Sequence, residues 1–178
     1  MSFLSFVMMH VGIAQDNFDT EESSITVLGT SNVHDWESVV DLNQVKLEFT
    51  LNDSIPPLLG TLSLTIPVES IKSGKSLMDK KTYKALQSDR HPNIIYKVNI
   101  FEYQLGKAKA TDGKLTVAGK TKNLPVTSKY NGDSNDVVLS GSVGFKMSDF
   151  DIAPPKAMMG AVKCGDGVTI KYKVKIKF

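Results

Sequence analysis

The sequence predicts an all-β fold, a meandering antiparallel barrel of about eight strands with one short helix over one end. Three observations carry this. Most segments alternate apolar and polar residues with a period of two, the mark of a strand with one buried face. Clusters of Gly, Asn, Asp and Pro separate them at short intervals, which favours antiparallel neighbours over crossover connections. Only residues 76–92 carry a helical spacing, so that helix must rest on a sheet rather than on a second helix. At 178 residues, 41% of them hydrophobic, the chain suits one globular domain. A chain of this length buries about 70% of its unfolded surface, without needing a disulfide or a metal. No internal repeat or second domain is visible.

The chain opens with an apolar run, Phe3, Leu4, Phe6, Val7, Met8, Met9, Val11 and Ile13, that ends in Gly12-Ile13-Ala14-Gln15. The run is too short to span a bilayer. It reads as the core and small-residue cleavage site of a secretory signal peptide over residues 1–14, although no Lys or Arg precedes it; the alternative is a buried first strand. The signal reading leaves residues 15–178 as the mature domain and makes the protein periplasmic or secreted.

After a polar lead, residues 24–30 form a first strand that Gly29 bends or ends, and residues 39–42 a second. Val45, Leu47, Phe49 and Leu51 share one face of a third, and residues 52–57 turn. Leu62, Leu64, Ile66 and Val68 then alternate with Ser63, Thr65 and Pro67, the proline marking an edge or a bulge. Ile94, Tyr96, Val98 and Ile100 share the next face. Thr111-Asp112-Gly113-Lys114 is a tight turn, and the runs Leu115, Val117 and Leu124, Val126, Ser128, Tyr130 read as the arms of a hairpin. After a turn over residues 131–136, Val137, Leu139, Val143, Phe145 and Met147 carry a further strand. The last strand is the most regular: Val168, Ile170, Tyr172, Val174, Ile176 and Phe178 alternate with Thr169, Lys171, Lys173, Lys175 and Lys177. That lysine row reads as a solvated face that discourages edge pairing, or as a stripe for transient membrane-surface contact.

In the helical stretch Ser76 is the expected N-cap, with Asp79 closing a capping box, or Asp79 caps a second short turn. Met78, Thr82, Ala85 and Leu86 make the apolar stripe, Lys80, Lys81, Lys84 and Gln87 face water, and Pro92 stops the helix.

Little chemistry is legible. A net charge of +2 gives no footprint for nucleic acid. Cys164 is the only cysteine, so a zinc site would need His34, His91 or carboxylates to converge on it; an inert thiol near a strand end is the plainer reading. Ser73-Gly74-Lys75-Ser76 has the tail of a phosphate-binding loop, but Glu69 stands where the motif needs its first glycine. His34 beside Asp35 reads as a turn hydrogen bond and His91 before Pro92 as a capping or surface residue; neither neighbours a nucleophile motif. No catalytic residue, metal or cofactor is assigned. A barrel of this size holds its own side chains or one ligand. Gly141 and Gly144 before Phe145, and Gly119 and Ser128 after Val117, thin the inward face and favour a cavity, though a filled core accounts for the same residues.

Several stretches resemble one family: Asn32-Val33-His34-Asp35-Trp36, the 76–92 helix with Met78-Asp79 and closing His91-Pro92, residues 113–122, and Pro154-Pro155-Lys156-Ala157-Met158-Met159-Gly160. In order and spacing they are similar to the YceI-like family over nearly all of residues 24–178. The resemblance implies a lipocalin-like barrel without catalytic residues, usually periplasmic, holding a polyisoprenoid, quinone or other long-chain, fatty-acid-like lipid. It also shows a departure, since Met78-Asp79-Lys80 stands where other branches carry an arginine and a histidine beside the aspartate. With the inward positions above it implies a ligand-binding set of Leu64, Ile66, Met78, Leu86, Tyr96, Val98, Phe145, Tyr172 and Val174, with Met158 and Met159 at the mouth. The rival reading is a ligand-free barrel acting as a protein-interaction or stress-response module. Oligomeric state stays open, a homodimer included.

Overall fold

The computed structural model describes residues 17–52, 58–99, 101–104 and 106–178. The 1–14 run, Ile100 and most of the 52–57 turn lie outside the described residues. In chain order the elements are β1 (Ser24–Ser31), β2 (Trp36–Val40), β3 (Lys46–Leu51), β4 (Leu59–Pro67), β5 (Ile71–Lys72), α1 (Ser76–Ala85), β6 (Asn93–Val98), β7 (Phe101–Gln104), β8 (Lys107–Ala110), β9 (Lys114–Val117), β10 (Lys120–Asn123), β11 (Val126–Gly132), β12 (Asp136–Lys146), β13 (Lys156–Ala157) and β14 (Val162–Lys177). Every strand pair is antiparallel. One sheet runs β5-β2-β1-β14-β12-β11-β8-β7, with β13 on the flank of β14; the other runs β10-β9-β6-β4-β3. The Tyr103 hydroxyl of β7 donates to the Leu59 carbonyl of β4 at 2.8 Å, joining an edge of one sheet to the other. The expected all-β barrel with a single α-helix is present, its strands divided into fourteen short segments among the described residues.

The spine is β14, which pairs with β1 on one side and along eleven residues with β12 on the other. Its strict alternation puts Val168, Val174 and Ile176 into the core. Because β14 lies inside its sheet, its lysines protect no edge. Lys175 Nζ instead bridges Glu22 at 2.9 Å and Asp136 at 3.4 Å, and Lys177 meets Asp19 at 2.8 Å. The 17–22 lead is therefore part of the barrel: Phe18 is buried and bridges to Ile176.

Two expectations about the strands are corrected. Leu115 and Val117 do not form a hairpin with residues 124–130: β9 pairs with β10, while β11 joins β8 and β12 in the other sheet. Ala118 and Gly119, with φ of 48° and 77°, make the two-residue turn that reverses the chain after Val117. The β7–β8 hairpin escaped notice because its inward residues include Ala108 and Ala110, buried but too small to mark an alternation. Pro67 marks neither edge nor bulge; it is the last paired residue of β4, which lies between β3 and β6.

The helix is also shorter than its apolar stripe suggests. Lys75, not Ser76, is the N-cap, and no side chain caps it. Asp79 accepts from the Ser73 amide (2.8 Å) and hydroxyl (2.6 Å), so it fastens the preceding loop instead of closing a capping box. At the other end Gln87 adopts φ of 56°, its amide bonding to Lys84 O and the Ser88 amide to Tyr83 O. That paired arrangement ends the helix before Pro92 is reached. Tyr83 holds the helix down, its hydroxyl 3.0 Å from the carbonyls of both Glu69 and Ile71.

Candidate functional site

The interior is filled at one end and hollow at the other. Phe18, Phe49, Leu59, Val137 and Ile176 belong to one packed cluster and do not line the cavity. Beyond them, under α1, lies a cavity of about 500 Å³, within the range of ligand pockets. Leu47, Leu62, Val98, Leu139 and Val174 form its floor, next to the filled end. Ile66, Ile94, Leu115, Phe145 and Val168 stand nearer the mouth, where Leu77, Met78, Thr82, Ala85 and Leu86 of α1 form part of the wall. From Val168 to Val174 the wall spans about 20 Å along β14, six residues at roughly 3.3 Å each.

Of the ligand-binding residues expected from sequence, Leu64, Ile66, Met78, Leu86, Tyr96, Val98, Phe145, Tyr172 and Val174 line this cavity. Met158 and Met159 do not. Both are exposed on the turn between β13 and β14, their backbones left-handed with φ of 49° and 54°. The neighbouring Pro155, Lys156, Ala157 and Val162 form the lining there. Sequence reasoning left out Ile25, Val27, Trp36 and Val40, although the alternation of β1 and β2 places them on the inward face. Gly29 was the available signal for Trp36: a Cβ there would collide with the indole, whose Nε1–H donates to Thr30 O at 3.0 Å.

Two half-buried phenols are satisfied without leaving a charge in the wall. Tyr96 donates to Leu124 O at 3.0 Å, and Tyr172 Oη meets Ser128 Oγ at 2.8 Å. Burial raises both phenol pKa values, which keeps the groups neutral. Glycines make the room: a Cβ at Gly141 would press on the Tyr172 hydroxyl, and one at Gly113 on Tyr96 and the Leu124 carbonyl. Of the glycines expected to thin the inward face, Gly141 is so placed. Gly144 faces outward beside Thr169, and Gly119 lies in the β9–β10 turn against His91.

The mouth gathers polar groups. Ser31, His34, Lys75, Lys81, Lys156 and Cys164 line it, and no Asp or Glu does. Asn32 ties its loop to β14 through Ala161 O and the Lys163 amide, and Lys81 Nζ donates to Lys156 O at 2.9 Å, tying α1 to β13. Lys81 thus turns to the cavity rim and not, as its stripe position suggested, to bulk water. His34 Nδ1 lies 2.8 Å from Asp35 O, the expected turn hydrogen bond. Burial pushes the Cys164 thiol pKa up, which disfavours the reactive thiolate. Among the described residues no three His, Cys, Asp or Glu side chains are grouped to hold a metal.

An antiparallel barrel with an apolar hollow beneath one helix is a lipocalin-like β-barrel. The chain belongs to the YceI-like domain family, whose profile matches residues 17–176. Solved structures share the fold. BcnA of Burkholderia cenocepacia is 17% identical with a TM-score of 0.71, over 89% of this chain and 99% of that one. A polyisoprenoid binding domain from Saccharophagus degradans, implicated in plant cell wall breakdown, is 10% identical with a TM-score of 0.67, over 90% and 97%. The Campylobacter jejuni YceI protein is 16% identical with a TM-score of 0.61, over 100% and 94%. No curated protein matches the chain.

Proposed function

We propose that the protein binds or transports a long-chain apolar lipid (a polyisoprenoid, a quinone or a fatty-acid-like molecule) outside the cytoplasm. The observation that carries this is the apolar hollow itself, walled mainly by apolar side chains, with Lys75, Lys81 and Lys156 at its rim. The polyisoprenoid binding by the Saccharophagus degradans domain supports a tail of that class. A ligand-free interaction module has no comparable use for such a space. Extracytoplasmic location rests on the 1–14 run and the family resemblance; no described helix is long and apolar enough to cross a membrane. Membrane contact, where it occurs, fits the mouth better than the β14 lysines. Val33, Leu77, Met158 and Met159 are all exposed beside it, whereas two of the β14 lysines, Lys175 and Lys177, are ion-paired.

Isolated from the cells that make it, the protein should yield an apolar-tailed molecule on organic extraction, near one per chain by mass spectrometry. Terminal sequencing of the same sample should find residues 1–14 removed. A lipid-free extract would count against the ligand, and a chain that keeps residues 3–9 would count against export.

A further inference from the structure

We infer that the ligand carries an anionic headgroup, a carboxylate or a phosphate, held at the cavity mouth by Lys75, Lys81 and Lys156. The inference rests on the lipid-binding reading and deepens it. The charge around the opening is one-sided: three lysines line the cavity and no carboxylate does. The nearest acid on α1, Asp79, is engaged by the Ser73 amide and hydroxyl and forms no part of the lining. Among the described residues none of the three lysines has an ion-pair partner, whereas Lys175 and Lys177 on β14 and Lys120 on β10 do. Their charge is therefore not spent inside the protein.

The placement is fixed from two elements. Lys75 and Lys81 belong to the start and middle of α1, Lys156 to β13, and the Lys81–Lys156 hydrogen bond holds the elements together while using one of three ammonium donors. A tail lying along the apolar wall would bring its polar end to this rim, where ammonium groups stand beside low-dielectric wall and remain open to water. An anion gains there from charge-assisted hydrogen bonds without being fully desolvated. A neutral head gains only ordinary hydrogen bonds, and a cationic head is repelled.

The test uses probes with one sixteen-carbon tail and different heads: hexadecanoate, hexadecyl phosphate, hexadecanol and hexadecylamine, with inorganic phosphate as the tailless control. At low salt the two anions should bind about tenfold more tightly than the alcohol, the sum of a few partly exposed ion pairs, and the amine more weakly still. The advantage should shrink as salt is raised. The triple variant Lys75→Gln, Lys81→Gln, Lys156→Gln should cost the anions about tenfold and the alcohol less than threefold. Equal affinity for anions and alcohol, or an anion preference that survives the triple variant, overturns the headgroup inference and leaves the lipid cavity standing. Failure of every tailed probe to bind overturns the cavity reading and the inference with it. Inorganic phosphate binding as tightly as hexadecyl phosphate would make the rim a free-anion site, which also contradicts the inference.

Discussion

Val98→Trp should abolish the advantage of long tails while leaving the protein folded. Val98 is buried at the cavity floor on β6, beside Leu62 of the neighbouring strand, with which it pairs in register. An indole there fills space from the bottom up, so a short tail that stops above it loses nothing. A tail that reaches the floor forfeits the burial of its last methylenes. Losing roughly three of them, at about 0.8 kcal/mol each, weakens binding roughly 50-fold. Because the indole enters open space rather than a packed core, the cost in stability should stay below about 2 kcal/mol, the lower part of the range for overpacking. Affinities of an eight-carbon and a sixteen-carbon probe, with a melting curve, check both halves. Equal losses for the two probes, or failure to fold, would show that the floor is filled core.

Leu86→Asp should have the largest effect on the helix. Leu86 follows the last turn of α1, lines the cavity and packs against the hydrophobic clusters on both sides of it. The substitution removes most of a leucine's burial and sets a carboxylate against an apolar wall. The cost should be about 3 kcal/mol or more unless the helix lifts away. Lifting is expected, because the rest of α1 is tied down by few polar contacts: Tyr83 to residues 69–72 and Lys81 to Lys156. Amide exchange should rise around residues 76–89 while β12 and β14 stay protected. Unchanged exchange and stability would mean that the stripe does not close the cavity.

The parts of this structure that show in the sequence are those set by local periodicity. From Val168 onward β14 could be read residue by residue because one face is apolar and the other polar. The cavity-facing stripe of α1 followed from spacing alone. Periodicity does not say which strand pairs with which. Thus β9 and β11 looked like one hairpin although the Ala118-Gly119 turn sends the chain into β10, and the two strands end in different sheets. Alanines carry too little hydrophobic signal to reveal β8. Phe18 looked like part of a polar lead because the strand residue it bridges to, Ile176, is at the far end of the chain. Met158 and Met159 were expected at the mouth for their apolar chemistry; they are exposed on a turn with left-handed backbone beside it and do not line the cavity, a distinction that composition does not encode. The mouth lysines share that limit: as single residues they are solvated charges, and only the fold brings Lys75, Lys81 and Lys156 to one rim.

The most direct test of the account is a titration of the wild-type protein with straight-chain probes that share one headgroup and lengthen two carbons at a time. Affinity should climb about fourfold per methylene, the equivalent of 0.8 kcal/mol, and then level off once the tail reaches the floor at Val98 and Val174. An affinity that ignores tail length, or that keeps climbing for tails far longer than the roughly 20 Å of wall from Val168 to Val174, would contradict a cavity closed at its far end by Phe18, Phe49 and Ile176.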